Sequence, residues 1–320
     1  MAEQHSERYV KVRLNSLYIK EPIPFDLYVL INNKQIHYLR AGDTLSKDKL
    51  QRFEDKAPDS FFVRLEDRPA FKKYVHEKLN SQQLNPIEKA VMLRESSLTL
   101  VEELFENPTI DEALKESKEM VEQFVDLMVT EPDAMADLVG LSSHDFYTYT
   151  HSLDVGIYSL GLANVMGYNR ELLVEMGQGA LFHDIGKRQV SVDIICKIGP
   201  LNDLEWAQMQ RHPEYGLAIL LEHDVSEGIK ACCFEHHESM AGNGYPQQLQ
   251  AKEIHPMAKI VALSDTFDAL TTQRSYNKPM KPSAALEFMR TKLAGRFDTD
   301  LLRAMYEVLF RMEDQLKKSV

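Results

Sequence analysis

Apolar and charged residues alternate near the start of the chain. Val10, Val12 and Leu14 take one side and Lys11 and Arg13 the other, the period of a half-buried strand. Two further apolar runs, 25–31 and 34–40, flank Asn32 and Asn33, residues that tolerate the positive φ of a tight hairpin turn. Beyond them the period lengthens. Residues 46–55 and 67–79 read as helices around a short strand at 61–65, so a small α/β unit closes near Asn80.

Residues 86–106 are helical in pattern, and Asn107-Pro108 restarts the chain, with Asn suited to a cap and Pro to a first turn. In the next helix Ile110, Ala113, Met120, Phe124 and Leu127 form one stripe. Such a stripe is core packing more often than a homodimer seam. From residue 133 on no strand of useful length follows, and helices are predicted at 143–166, 170–184, 203–210, 213–222, 226–238, 256–273, 283–293 and 298–316. The fold class is therefore mainly α: an all-helical bundle preceded by a small N-terminal α/β domain. The organisation predicted is 1–80 as that domain, 81–132 as connecting helices and 133–320 as the bundle.

Candidate chemistry falls into step with those helices. His151, His183, His212, the pair His236-His237 and Asp265 recur at intervals of about one helix and its loop, so each helix could aim one ligand at a common centre. Imidazole and carboxylate are ligands of first choice for divalent metals, and Asp184, beside His183, has two oxygens with which to bridge a pair. The apolar run 171–182 places both near a helix C-terminus, whose partial negative charge favours cations, with Gly186 as the stop. A lone His-Asp pair is more often an ordinary buried turn; it is the further ligands that argue for two metals. Imidazole-rich donors suit iron or manganese better than magnesium.

Composition narrows the choice. The net charge of −12 over 320 residues argues against a nucleic-acid polymer as partner and leaves an anionic ligand to local cations. Cys196, Cys232 and Cys233 form no CxxC pair and read as reduced core residues of a cytosolic protein. The N-terminus is polar, and no apolar run approaches the roughly 18 residues that span a bilayer, so a soluble, cytoplasmic protein without a membrane partner is expected. The N-terminal unit carries no phosphate loop or metal cluster.

Five stretches taken jointly are specific: HDIGK at 183–187, the run 197–206, His212-Pro-Glu-Tyr-Gly216, HHE at 236–238 followed by GNGYP at 242–246, and the run 264–276. From about Asp145 onward the chain resembles the HD-GYP family of cyclic di-GMP phosphodiesterases, a subgroup of the HD-domain metal-dependent phosphohydrolases. The resemblance implies that His183, Asp184 and Asp265 hold one metal with help from His151. His212, His236, His237 and a bridging Asp184 would hold the second. Lys187 corresponds to a phosphate-contacting lysine, Asp268 to its orienting partner, and Arg274 to a nucleotide contact. Gly244, Tyr245 and Pro246 would complete the pocket. The implied reaction is hydrolysis of cyclic di-GMP by a water activated between two metals, with no general acid evident for the leaving 3′-oxygen.

Departures qualify the resemblance. Tyr147 stands where some members carry a Glu for a third metal, so two metals and arrest at linear pGpG, short of GMP, are expected. Ser239 and Ala241 replace a basic residue and an Asp found in many members, which leaves cyclic di-GMP against a mixed cyclic dinucleotide open. A rival reading is a slow cyclic dinucleotide sensor that acts on a signalling partner through the N-terminal domain. A plain HD nucleotidase would not need the HHE and GYP elements.

Overall fold

The computed structural model describes residues 8–45, 60–106, 109–131, 134–142, 148–273 and 278–318. The chain divides into two compact units, 1–100 and 101–320.

In the first unit four strands, β1 (Tyr9–Arg13), β2 (Leu27–Ile31), β3 (Lys34–Leu39) and β4 (Ser60–Arg64), form an antiparallel sheet in the order β1-β4-β2-β3. Asn32 and Asn33 turn the β2–β3 hairpin with φ of 49° and 60°, as their tolerance of that region predicts. Helix α1 (Arg68–Leu79) buries Phe71, Tyr74 and Val75 in the core formed with Val12, Phe25, Leu27, Phe61 and Val63. The Tyr74 hydroxyl accepts from the Tyr18 N–H at 2.7 Å, so the buried phenol is satisfied. The helix expected over 46–55 lies outside the described residues. Helix α2 (Pro86–Glu106) follows.

The second unit is helical. In α3 (Ile110–Thr130) every residue of the predicted stripe is buried, and the helix packs on α6 (Arg170–Phe182), where Gln178 Nε2 donates to Leu114 O and Ser117 Oγ at 3.0 and 3.1 Å. The stripe is therefore core of this chain. Asn169 caps α6 by accepting from the Leu172 N–H at 2.9 Å. All residues from Met176 to Phe182 are buried, because α5 (Thr148–Val165) and α10 (Glu227–Glu235) pack against this helix. Its C-terminal end thus delivers His183 and Asp184 to the middle of the bundle.

The remaining helices are α4 (Ala134–Leu141), α7 (Val192–Ile195), α8 (Asp203–Met209), α9 (His212–Leu220), α11 (Pro256–Thr271), α12 (Pro282–Thr291) and α13 (Thr299–Lys318). Helices α4 and α7 were not foreseen; each is too short to establish a period.

Two expectations are corrected. Gly186 does not stop a helix: α6 has already ended, and Gly186 lies in a 3₁₀ turn, Ile185–Gln189. A Cβ there would lie 1.9 Å from the His212 carbonyl oxygen, so glycine is required for the turn to touch α9. Cys196 is exposed, because it caps the short surface helix α7, whereas Cys232 and Cys233 are buried as expected. Among the described residues no helix is long and apolar enough to cross a membrane.

Candidate metal centre

Four imidazoles are oriented by what their outer nitrogens touch. Nδ1 of His183 lies 2.6 Å from Ala180 O, that of His212 2.8 Å from Met209 O, and that of His236 2.9 Å from Cys233 O. Nδ1 of His151 lies 2.7 Å from Asp268 Oδ2. Carbonyl and carboxylate oxygens only accept, so each Nδ1 carries a proton and, wherever the ring is neutral, Nε2 presents a lone pair to the interior.

Those lone pairs converge on Asp184. Its Oδ1 lies 3.3 Å from His212 Nε2 and 3.8 Å from His236 Nε2; its Oδ2 lies 3.3 Å from His183 Nε2 and 3.6 Å from His151 Nε2. His151 Nε2 is also 3.2 Å from Asp265 Oδ1, and His212 and His236 face each other Nε2 to Nε2 at 3.2 Å. Two neutral Nε2 lone pairs opposed, as in His212 and His236, are not a hydrogen bond, and His183 Nε2 and Asp184 Oδ1 are buried without a partner. Donors held about 2.1 Å from one ion stand roughly 3 to 3.5 Å apart, close to the spacing here. The donor set fits metal. Three overlapping groups are close enough to share an ion: His151, His183 and Asp265; His183, Asp184 and His236; His212, His236 and His237.

Electrostatics agree. Burial first, then like-charged neighbours, pushes His236 well below the usual imidazole range. Burial also takes His212 down to about 4 and His237 to about 3, so these imidazoles are neutral at pH 7. For Asp184 burial acts upward, yet the Lys187 and His183 charges and the His151 hydrogen bond hold it well below the carboxylate range. Asp265 is likewise low: burial opposes, and the hydrogen bond and charge of His151 prevail. His151 shows the converse. Burial disfavours its charge, but Asp184, Asp265 and Asp268 together raise it well above an ordinary histidine, which marks a place that demands positive charge.

Around this centre sit the other predicted residues. Lys187 Nζ donates to Asp184 Oδ2 at 2.5 Å with its side chain a quarter exposed. Tyr245 stacks on the His237 ring with centroids 4.6 Å apart, and its N–H donates to His237 O at 3.3 Å. Burial above all raises its phenol pKa. Asp268, expected to orient Lys187, holds His151 Nδ1 and accepts from the Thr272 hydroxyl at 2.9 Å. Arg274 and Tyr147 lie outside the described residues.

One residue that sequence reasoning left without a role organises the loop. Glu238 is buried, and its carboxylate accepts from the N–H groups of Gln247, Gln248 and Leu249 at 2.6, 3.1 and 3.0 Å. Gly244 passes so close that a Cβ would lie 2.4 Å from Glu238 Cα. The Tyr245–Pro246 peptide is cis. The signal available was a carboxylate directly after two histidines and shortly before a Gly-Asn-Gly loop.

Residues 133–301 match the family model described as HD domain. This chain belongs to the HD domain family. Among curated relatives of this HD-domain chain is a cyclic di-GMP phosphodiesterase of Pseudomonas aeruginosa, 31% identical over 226 residues, which are 70% of this chain and 54% of that protein. A 3′3′-cGAMP-specific phosphodiesterase of Vibrio cholerae is 32% identical over 169 residues, 53% of this chain and 37% of that protein. The HD-domain chain thus spans about half or less of the length of these relatives. An HDG"Y"P protein from Bdellovibrio bacteriovorus shares the fold, with a TM-score of 0.73 at 21% identity over 94% of this chain and 99% of that one.

Proposed function

We propose that the chain hydrolyses cyclic di-GMP to linear pGpG at a dinuclear centre, with residues 133–320 as the phosphohydrolase domain, 81–132 as connecting helices and 1–80 as a sensory or interaction module. The supporting observation is Asp184, whose two oxygens face separate sets of imidazole lone pairs while one of them is buried without a partner. His151, His183 and Asp265 would hold one ion, His212, His236 and His237 the other, and Asp184 both. Iron or manganese suits such donors. When bound, the two ions supply an activated water and polarise the phosphoryl oxygens.

The protein's own groups do the rest. The fixed Nδ1 protons keep neutral His151, His183, His212 and His236 in the tautomer whose Nε2 lone pair can bind an ion. Lys187, next to Asp184, balances negative charge on a non-bridging phosphoryl oxygen as it grows in the transition state. Tyr245, held over His237, walls the substrate side, and Arg274 contributes to nucleotide binding. Water protonates the leaving 3′-oxygen. A mixed cyclic dinucleotide is the second candidate substrate, because Ser239 and Ala241 depart from the family pattern and one relative at 32% identity is cGAMP-specific.

The test is to incubate anaerobically purified protein, loaded with iron or manganese, with cyclic di-GMP or 3′3′-cGAMP and to separate the products. Accumulation of pGpG supports the proposal. Tight binding of cyclic di-GMP without turnover sinks it in favour of the sensor reading.

A further inference from the structure

The chain's single tryptophan, Trp206, is 47% exposed. A large aromatic in contact with solvent is unremarkable alone, but this one has a fixed relation to the metal centre. Helix α8 begins with a complete capping box, in which Asn202 Oδ1 accepts from the Glu205 N–H at 2.9 Å and Glu205 Oε2 from the Asn202 N–H at 2.8 Å. Lys197 pairs with the same Glu205. At its other end the helix supplies Met209 O, which holds the Nδ1 proton of His212. Trp206 lies one turn before Met209, so a rigid element spaces it from a metal ligand. Its ring meets Tyr245 edge to face at 6.4 Å, and Tyr245 stacks on His237. An aromatic run therefore leads from the metal centre to the surface.

Arg296 reaches the same loop. Its carbonyl accepts from the Met240 N–H at 3.1 Å, within the segment that carries Tyr245. Its Nε is buried and has no hydrogen-bond partner among the described residues. Its positive charge acts on the Tyr245 phenol, opposing the upward effect of burial. An exposed indole and a guanidinium whose Nε has no hydrogen-bond partner among the described residues thus both border the segment that carries Tyr245, and together they offer what a purine requires: a π-face to stack on, and fork-shaped N–H donors that match guanine O6 and N7.

We propose that Trp206 and Arg296, with Tyr245 between them, form a guanine subsite beside the metal centre, Trp206 stacking on the base and Arg296 donating to its O6/N7 edge. The proposal rests on the cyclic dinucleotide reading above and adds which residues choose the base. Adenine offers a donor where guanine offers O6, so Arg296 discriminates while Trp206 does not.

The experiment has two readouts. Trp206 emission reports occupancy directly, and saturable quenching by cyclic di-GMP, with no response to inorganic phosphate, is expected. In steady-state assays Trp206→Ala should raise KM for cyclic di-GMP at least tenfold with a smaller change in kcat, and Trp206→Phe should recover most of that loss. Arg296→Ala should narrow the kcat/KM ratio of cyclic di-GMP to cyclic di-AMP at least fivefold. With bis(p-nitrophenyl) phosphate, a diester without purines, both variants should lose much less than with cyclic di-GMP. Equal losses on the two substrates, or an unchanged KM and no quenching, would overturn the subsite. Quenching in a wild-type protein that turns over no cyclic dinucleotide would uphold the subsite and refute the phosphodiesterase reading instead.

Discussion

Glu238 offers the sharpest test of how the loop is held, because its carboxylate binds backbone donors and touches no ligand nitrogen in the contacts described. Replacing it by alanine strands the N–H groups of Gln247, Gln248 and Leu249. A hydrogen bond to a charged acceptor contributes about 1.5–3 kcal/mol net, and a buried unsatisfied donor costs about 1–3 kcal/mol. The three do not add in full, since a loosened loop lets water reach them; a global loss of about 2–4 kcal/mol is the working figure. For a unit of this size each kcal/mol moves Tm by about 2–4 °C, so a fall of roughly 5 to 15 °C is expected. Glu238→Gln separates charge from shape. Its amide oxygen can serve Gln247 and Gln248, but its NH₂ opposes the Leu249 N–H, so an intermediate Tm should result. Loss of the loop's anchor also frees Tyr245 from His237, and misplacement of that order costs around a hundredfold in rate. Thermal melts and cyclic di-GMP turnover on both variants check this. If Glu238→Ala melts with the wild type and keeps its activity, the carboxylate does not hold the loop.

Asp184→Ala should lose both metals and activity together, measured by elemental analysis and product separation, since among the described residues no other carboxylate faces both imidazole sets; retention of two ions would place the bridge elsewhere. Lys187→Ala should keep both metals while cyclic di-GMP hydrolysis falls by about a hundredfold, and an unchanged rate in a folded, loaded variant refutes its role. The metal-stripped protein should lose stability as pH falls from about 6.5 towards 4, by up to about 1.4 kcal/mol per pH unit per histidine, because the unfolded chain protonates imidazoles that folding keeps neutral: His212, lowered to about 4, and His237, lowered to about 3. His151 acts oppositely: its raised pKa contributes fully below pH 6.5 and fades as pH rises through its folded value. Urea midpoints of chelator-treated protein should therefore peak near neutrality, and a midpoint that does not drop between pH 6.5 and 5 contradicts the assignment.

The bundle was legible because its helices are long enough to show a period. The stripe from Ile110 to Leu127 announced a buried face, and Asn32-Asn33 announced a hairpin, each through a local physical requirement. What escaped was what only contact reveals. Gly186 has the composition of a helix stop, yet its missing Cβ is needed because α9 presses against the turn, a fact held in the partner's position and not in the local residues. Helices α4 and α7 are too short to distinguish from loop by pattern.

The centre divides along the same line. The candidate donors could be picked out by residue type and by their recurrence at about one His or Asp per helix, because a metal demands specific donors and a helix can present few of them. Ligand orientation could not. It depends on carbonyls of Ala180, Met209 and Cys233, groups that every residue possesses and that become partners only where a helix ends beneath an imidazole. Asp268 illustrates the difference. The family resemblance pairs it with Lys187, and the packing of α5 against α11 brings His151 to it as well. That contact fixes a proton on Nδ1 and turns Nε2 of His151 towards Asp184 and Asp265. The helix that carries one candidate ligand, Asp265, therefore also aims the candidate ligand of its neighbour, so a change at Asp268 should act on the proposed metal site through His151.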